Sequence, residues 1–291
     1  MKVSIEELKQ FKYRVNPEEH QGPYGYYFFR PLSLYLTYLA LRLGLTANQV
    51  TVSQTIVGLM GVAFLASPTP TLTITGLLLL QCGYMLDNVD GEVARFRNQV
   101  SITGKFLDAI NHELVVMGMY FSLGIGTYFR LGHFETVVFG FMAGFFSLRL
   151  DISTMYLEAA RFVETRLDRS YEYYRGLQFG EHLKLHRQGK DEQSRKRVIY
   201  GLFAYPATMN IVTVLVLADL LLAPIDLFDY KISLIYVFLT LYGILVPIRR
   251  VYTVWKLTKG REVERKYLSL IDLLRGQERP KSKEEAQQSI R

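Results

Sequence analysis

Apolar residues in this chain fall in long, nearly unbroken windows rather than at helical or strand spacing. Setting aside an acid-bearing stretch at 87–113, six windows almost free of charge lie at about 50–67, 70–90, 104–128, 134–160, 199–222 and 231–256. Each approaches the ~20 residues a helix needs to cross a bilayer, whereas a soluble amphipathic helix would mix polar residues in at a 3.6-residue period. The pattern predicts an all-α integral membrane protein with six transmembrane helices. An earlier apolar stretch, 31–45, is short for a span and carries Arg42. It is predicted as an N-terminal interfacial amphipathic helix. Ahead of it, Ser4-Ile5-Glu6-Glu7 has capping-box spacing for a short helix. Pro17 and Gly22-Pro23 end that helix before the aromatic run Tyr24 to Phe29, whose rings suit the headgroup zone.

Charge gives this array a direction. Lys and Arg crowd the cytoplasmic side of membrane proteins, and here they concentrate in the N-terminal segment, around Arg95-Arg97-Lys105, in the loop 161–198 and after Lys256. The opposite links are poor in them: Ser67-Pro68-Thr69-Pro70 is uncharged, 128–134 holds only Arg130, and 222–231 sets Asp226 and Asp229 against Lys231. Both termini and the acidic stretch are therefore expected on the cytoplasmic face. The expected organisation is a cytoplasmic segment at 1–30, a six-helix membrane domain at 31–260 and a cytoplasmic tail at 261–291. Residues Met1 to Tyr13 lack an apolar core, so no cleaved signal peptide is expected there. A compact chain without extra domains fits a prokaryotic inner membrane.

Composition narrows the chemistry. With 49% apolar and 21% charged residues among 291, the chain is too hydrophobic for a disordered protein. Basic residues outnumber acids 34 to 27, which suits anionic lipid or a phosphorylated ligand and calls for no nucleic acid. One cysteine, Cys82, builds neither a disulfide framework nor a thiolate metal site. His182 and His186 beside Glu181 offer too few ligands for a closed zinc site.

Carboxylates inside a membrane are costly and mark functional sites by default. Asp87 and Asp90 are three apart, with Gly91 and Ala94 close to the same stripe; Gly104, Asp108 and His112 follow at spacings of four. On two helices these become two polar stripes with small residues between the acids. If the stripes face each other, Asp87, Asp90 and Asp108 repel one another unless a divalent cation neutralises them, and hard oxygen ligands favour Mg²⁺ or Mn²⁺. A calcium loop fails on spacing, since Gly91 as its sixth residue would put Leu86 first and Arg97 last. Acids at a solvated helix end, satisfied by Arg95 and Arg97, are the bland alternative.

The run Asp87-x-x-Asp90-Gly91-x-x-Ala94-Arg95, then eight residues and Gly104-x-x-x-Asp108, resembles the signature of the CDP-alcohol phosphotransferases, and the resemblance extends over roughly residues 30–256. It implies six transmembrane helices, a homodimer, and transfer of a substituted phosphate from a CDP-linked donor to an alcohol acceptor with release of CMP. It also implies that the signature aspartates hold divalent metal and that the last of them activates the acceptor. Here that last position is His112. Gly91, Ala94 and Gly104 would then let cytidine and its phosphates approach the backbone, and Arg95 would pair with the diphosphate or remain an interfacial charge. Asn48 and Thr51 resemble the family's polar motif at the start of the first span, where Thr46 also reads as an N-cap.

Independently of any family, in-line phosphoryl transfer needs cation charge on the diphosphate and a base for the attacking hydroxyl. His112, one turn beyond Asp108, suits the base, because an ordinary imidazole is largely neutral near pH 7. A metal ligand and the mark of a lost activity stay open for it, and Glu113 points elsewhere. Arg149 and Arg250 either frame an anionic acceptor pocket or snorkel to the interface. Two rival functions remain: a catalytically silent nucleotide- or lipid-binding scaffold, and a cation-coupled transporter, whose site would sit nearer the midplane between repeats.

Overall fold

The computed structural model describes residues 4–14, 29–148, 202–203, 205–222, 224–227 and 230–259. Expectations for 15–28, Arg149, Asp151, the loop 161–198 with its histidines, and the tail 261–291 lie outside the described residues. The chain divides into two compact units, Met1–Arg149 with Tyr171–Pro247, and Leu150–Ser170 with Ile248–Arg291.

Helix α1 (Ile5–Arg14) begins at the expected capping box: the Glu7 amide donates to Ser4 Oγ at 3.1 Å and the Ser4 amide to the Glu7 carboxylate at 3.0 Å. Helix α2 (Arg30–Arg42) occupies the stretch expected to be interfacial, and its buried side mixes Leu34, Ala40 and Leu41 with two hydroxyl residues. Ser33 and Thr37 are buried, whereas Leu32, Tyr35 and Leu39 are exposed. The reason is an acid on another helix. Ser33 Oγ donates to Glu92 Oε1 at 3.0 Å and Thr37 Oγ1 to Glu92 Oε2 at 2.6 Å.

Helices α3 (Ala47–Leu65), α4 (Pro70–Phe96), α5 (Ile102–Leu131) and α8 (Leu234–Lys259) contain four stretches long and apolar enough to cross a membrane. The other two windows hold shorter apolar helices, α6 (Glu135–Ser147) and α7 (Ala207–Leu221). Among the described residues the architecture is therefore mostly helical with four candidate spans, and 149–160 of the fourth window and 199–201 of the fifth lie outside them. A departure from an all-α chain is the hairpin of β1 (Ile225–Leu227) and β2 (Tyr230–Ile232), whose register sets Asp226 opposite Lys231. Opposite charges at facing positions stabilise such a ribbon, which explains why a link read only as a loop pairs.

Around α4 the helices approach closely. A Cβ on Gly61 would lie 2.8 Å from the Gly76 carbonyl oxygen, and a Cβ on Gly76 2.8 Å from that of Gly61. Only paired glycines allow this crossing of α3 and α4. Beside it, Leu65, Leu80, Met119, Tyr120 and Leu239 are buried in one apolar cluster of the first unit. Within the second unit, the described residues form the last turns of α8, where Lys259 Nζ sits 4.9 Å from the Trp255 ring centroid.

The α4–α5 hairpin positions the chemistry. At 27 and 30 residues both helices exceed the ~20 needed for a span, so the acid-bearing last turns of α4 and first turns of α5 lie together at one end. Asn98 takes a positive φ of 55°, which asparagine tolerates. The Gly104 amide donates to the N-cap Ser101 Oγ at 3.0 Å, starting α5 in register.

Candidate active site

Spacings of three and four put each polar group on one side of its helix, and the short link between α4 and α5 turns those sides together. His112 stands between the two carboxylates: its Nε2 is 3.4 Å from Asp87 Oδ1 and its Nδ1 3.2 Å from Asp108 Oδ1. One donor atom each from Asp87, Asp108 and His112 lie within 4.8 Å of one another. The side chains of His112, Asp87 and Asp108 are 19, 22 and 42% exposed, so the group borders accessible space instead of being sealed in a core.

Asp90 is not part of that group. It is 9% exposed and accepts a 2.6 Å hydrogen bond from Thr51 Oγ1, which also reaches the Ala47 carbonyl. Of the expected cation trio, Asp87 and Asp108 lie in that group beside His112. Thr51 of α3, expected at the nucleotide, meets Asp90, and Asp87 lies between Gln54 of α3 and His112 of α5.

Small residues frame this cluster. A Cβ on Gly91 would lie 3.1 Å from Arg95 Nη1, so the guanidinium lies over the bare glycine one turn back. At Gly104 a Cβ would meet Ser101 Oγ at 3.2 Å and Asn48 Oδ1 at 3.3 Å, which brings the start of α3 against the start of α5. Ala94 is half-buried, and its carbonyl accepts the Gln99 amide at 2.8 Å in the turn that ends α4. Thr46 is the N-cap of α3 in a capping box with Gln49. Arg149 lies outside the described residues, and Arg250 belongs to the second unit.

Three neighbours had no signal strong enough to find them from sequence. Gln54 Nε2 donates to Asp87 Oδ1 at 3.1 Å. The Tyr205 ring packs edge-on against His112, with centroids 5.1 Å apart, and against Tyr84 at 5.7 Å. Glu92 lies inside the acidic run yet faces α2. A Ser-x-x-x-Thr pair on α2 was the only hint of its partner.

The donor set suits a divalent cation. Ligand bonds of roughly 2.0–2.2 Å place two donors on one ion about 3–4 Å apart, close to the spread of these three atoms. The carboxylates suit a hard cation, whereas the imidazole beside them suits Zn²⁺ and other later transition metals better.

Residues 44–171 match the model of the CDP-alcohol phosphatidyltransferase family. No curated protein matches the chain.

Proposed function

We propose, from the match of residues 44–171 to the CDP-alcohol phosphatidyltransferase family, that this membrane protein transfers a substituted phosphate from a CDP-linked donor to an alcohol and releases CMP. The convergence of Asp87, Asp108 and His112 at one end of the α4–α5 hairpin carries the reading. Asp87 and Asp108 would hold the cation, Mg²⁺ or Mn²⁺, with Asp90 adding charge beside them. That ion supplies the positive charge that offsets the diphosphate during transfer.

The chain's own side chains do the rest. Arg95 offers a planar fork of donors for a phosphate, and Gly91 leaves room beside it. Gly104 and Asn48 line the approach for the nucleotide. His112, standing between Asp87 and Asp108, accepts the acceptor's hydroxyl proton on a ring nitrogen. The acceptor oxygen bonds to the phosphorus bearing the donor's alcohol group, the bond from that phosphorus to the bridging oxygen breaks, and CMP departs with that oxygen. Tyr205 covers one side of the imidazole.

The 4.8 Å grouping also favours a second role for His112, as third ligand. One experiment separates the roles. His112→Ala should retain Mn²⁺ binding and lose CMP release about 10²- to 10⁴-fold if His112 is the base, and lose both if it is a ligand. Asp108→Asn should abolish CMP release; undiminished activity there would defeat the reading.

We place the reaction in phospholipid or related glycolipid and polyol-phosphate synthesis, at the cytoplasmic face of a prokaryotic inner membrane, by six spans arranged as a homodimer. The apolar helices α6 and α7 in the fourth and fifth windows and the basic links support this placement. Both CDP-diacylglycerol with a soluble polyol or sugar phosphate and a soluble CDP-alcohol with a lipid acceptor fit these residues. CMP release by purified protein against a panel of both pairings distinguishes them.

A further inference from the structure

Gln54 lies on α3, outside the acidic run, and is 2% exposed. Its Nε2 donates to Asp87 Oδ1 at 3.1 Å. Chemistry sets that orientation, because the flipped amide would press its oxygen against a carboxylate oxygen. The same orientation leaves Gln54 Oε1 buried with no hydrogen-bond partner among the described residues. A buried orphan acceptor destabilises the fold. One turn further on, a Cβ on Gly58 would meet the Val115 side chain, so this face of α3 turns apolar just beyond Gln54. Leucine or methionine would fill such a place without the penalty. The glutamine therefore serves the carboxylate rather than the packing.

Asp87 Oδ1 also faces His112 Nε2 at 3.4 Å. Left alone, that carboxylate could rotate about its terminal bond. We propose that Gln54 is a positioning residue: it holds Asp87 Oδ1, stops that rotation and so keeps the Asp87, Asp108 and His112 donors gathered before a cation arrives. This rests on reading those three residues as a divalent metal site. Hydrogen-bond partners of ligating groups commonly change metal affinity 10- to 100-fold when removed.

The test is Mn²⁺ binding by full-length purified protein without substrate, followed by the electron paramagnetic resonance of free Mn²⁺ and paired with thermal unfolding. Gln54→Leu should raise the Mn²⁺ Kd about 10- to 100-fold, with the unfolding midpoint unchanged or raised because the orphan carbonyl is gone. Gln54→Met serves the same purpose if leucine does not fold, since a flexible thioether adapts to the space. Gln81→Leu is the control. Its Nε2 bonds Asn210 Oδ1 at 3.2 Å and Thr213 Oγ1 at 2.9 Å, so its loss should lower the midpoint and leave Mn²⁺ affinity alone. Wild-type Mn²⁺ affinity in the Gln54 variants overturns the proposal and spares the metal reading. An equal loss of affinity in Gln81→Leu also overturns it. Absence of saturable Mn²⁺ binding by the wild type overturns both.

Discussion

Glu92 sits two residues after Asp90 and yet takes no part in the cluster, because two hydroxyls on α2 engage both of its carboxylate oxygens. Ser33 and Thr37 are 0 and 1% exposed. Glu92→Leu would leave both without that acceptor, at a cost of about 1–3 kcal/mol. Glu92→Gln keeps an acceptor and should cost about half as much. Thermal unfolding in detergent should rank wild type above Glu92→Gln above Glu92→Leu. A similar contrast applies at Thr51, whose hydroxyl is 2.6 Å from Asp90 Oδ2. Thr51→Val should lower CMP release about 10-fold, as loss of a partner behind a working carboxylate does, and Thr51→Ser should restore most of it. Equal rates in the two variants would show that the hydroxyl is irrelevant. The legible part of the site is the part written at short range: Asp87, Asp108 and His112 announce themselves through spacings of three and four on two adjoining helices. Gln54, Glu92 and Tyr205 were silent because their partners lie far off in the chain, 33 residues for Gln54 and 55 and 59 for Glu92. Nothing local distinguishes such a residue from any other polar position. Asp90 was legible as an acid but not in its direction, since turning toward α3 depends on a hydroxyl supplied by another helix.

At the level of helices, the crossing of α3 and α4 depends on the glycine pair. Each missing Cβ would contact the partner's backbone carbonyl, which cannot swing aside as a side chain can. Gly61→Ala and Gly76→Ala should each destabilise the protein by about 1–3 kcal/mol. Since both substitutions push the same two helices apart, the double variant should lose less than the sum of the singles. Full additivity, measured by unfolding in detergent, would mean that the two glycines do not share one contact. The helices themselves were legible as apolar windows, and the caps at Ser4 and Thr46 were legible because a capping box is written within four residues. The orientation of α2 was not. Its exposed apolar side and buried hydroxyls become sensible only with Glu92 on the neighbouring helix, and the small β1–β2 ribbon depends on a cross-strand pair that a linear reading does not register.

For the molecule as a whole, the decisive quantity is the length of the α4–α5 hairpin. Helix α4 has 27 residues, and at 1.5 Å per residue it extends about 40 Å, beyond the ~30 Å hydrocarbon core of a bilayer. Pro68, before its start, and Gln99, after its end, are both exposed. If α4 spans the membrane, those two positions must lie on opposite sides. Charge says which is which: the link holding Arg95, Arg97 and Lys105 should stay cytoplasmic, and the uncharged link at 67–70 should cross. Cys82 is the chain's single cysteine, so a Cys82→Ala background is free of thiols. In that background, Pro68→Cys should react with a membrane-impermeant maleimide on intact cells. Gln99→Cys should react only in inverted vesicles. The reverse pattern would put Asp87, Asp108 and His112 on the outer face, away from cytosolic CDP-linked donors, and the proposed reaction could not run there. Labelling of both positions from one side would mean that α4 does not cross at all.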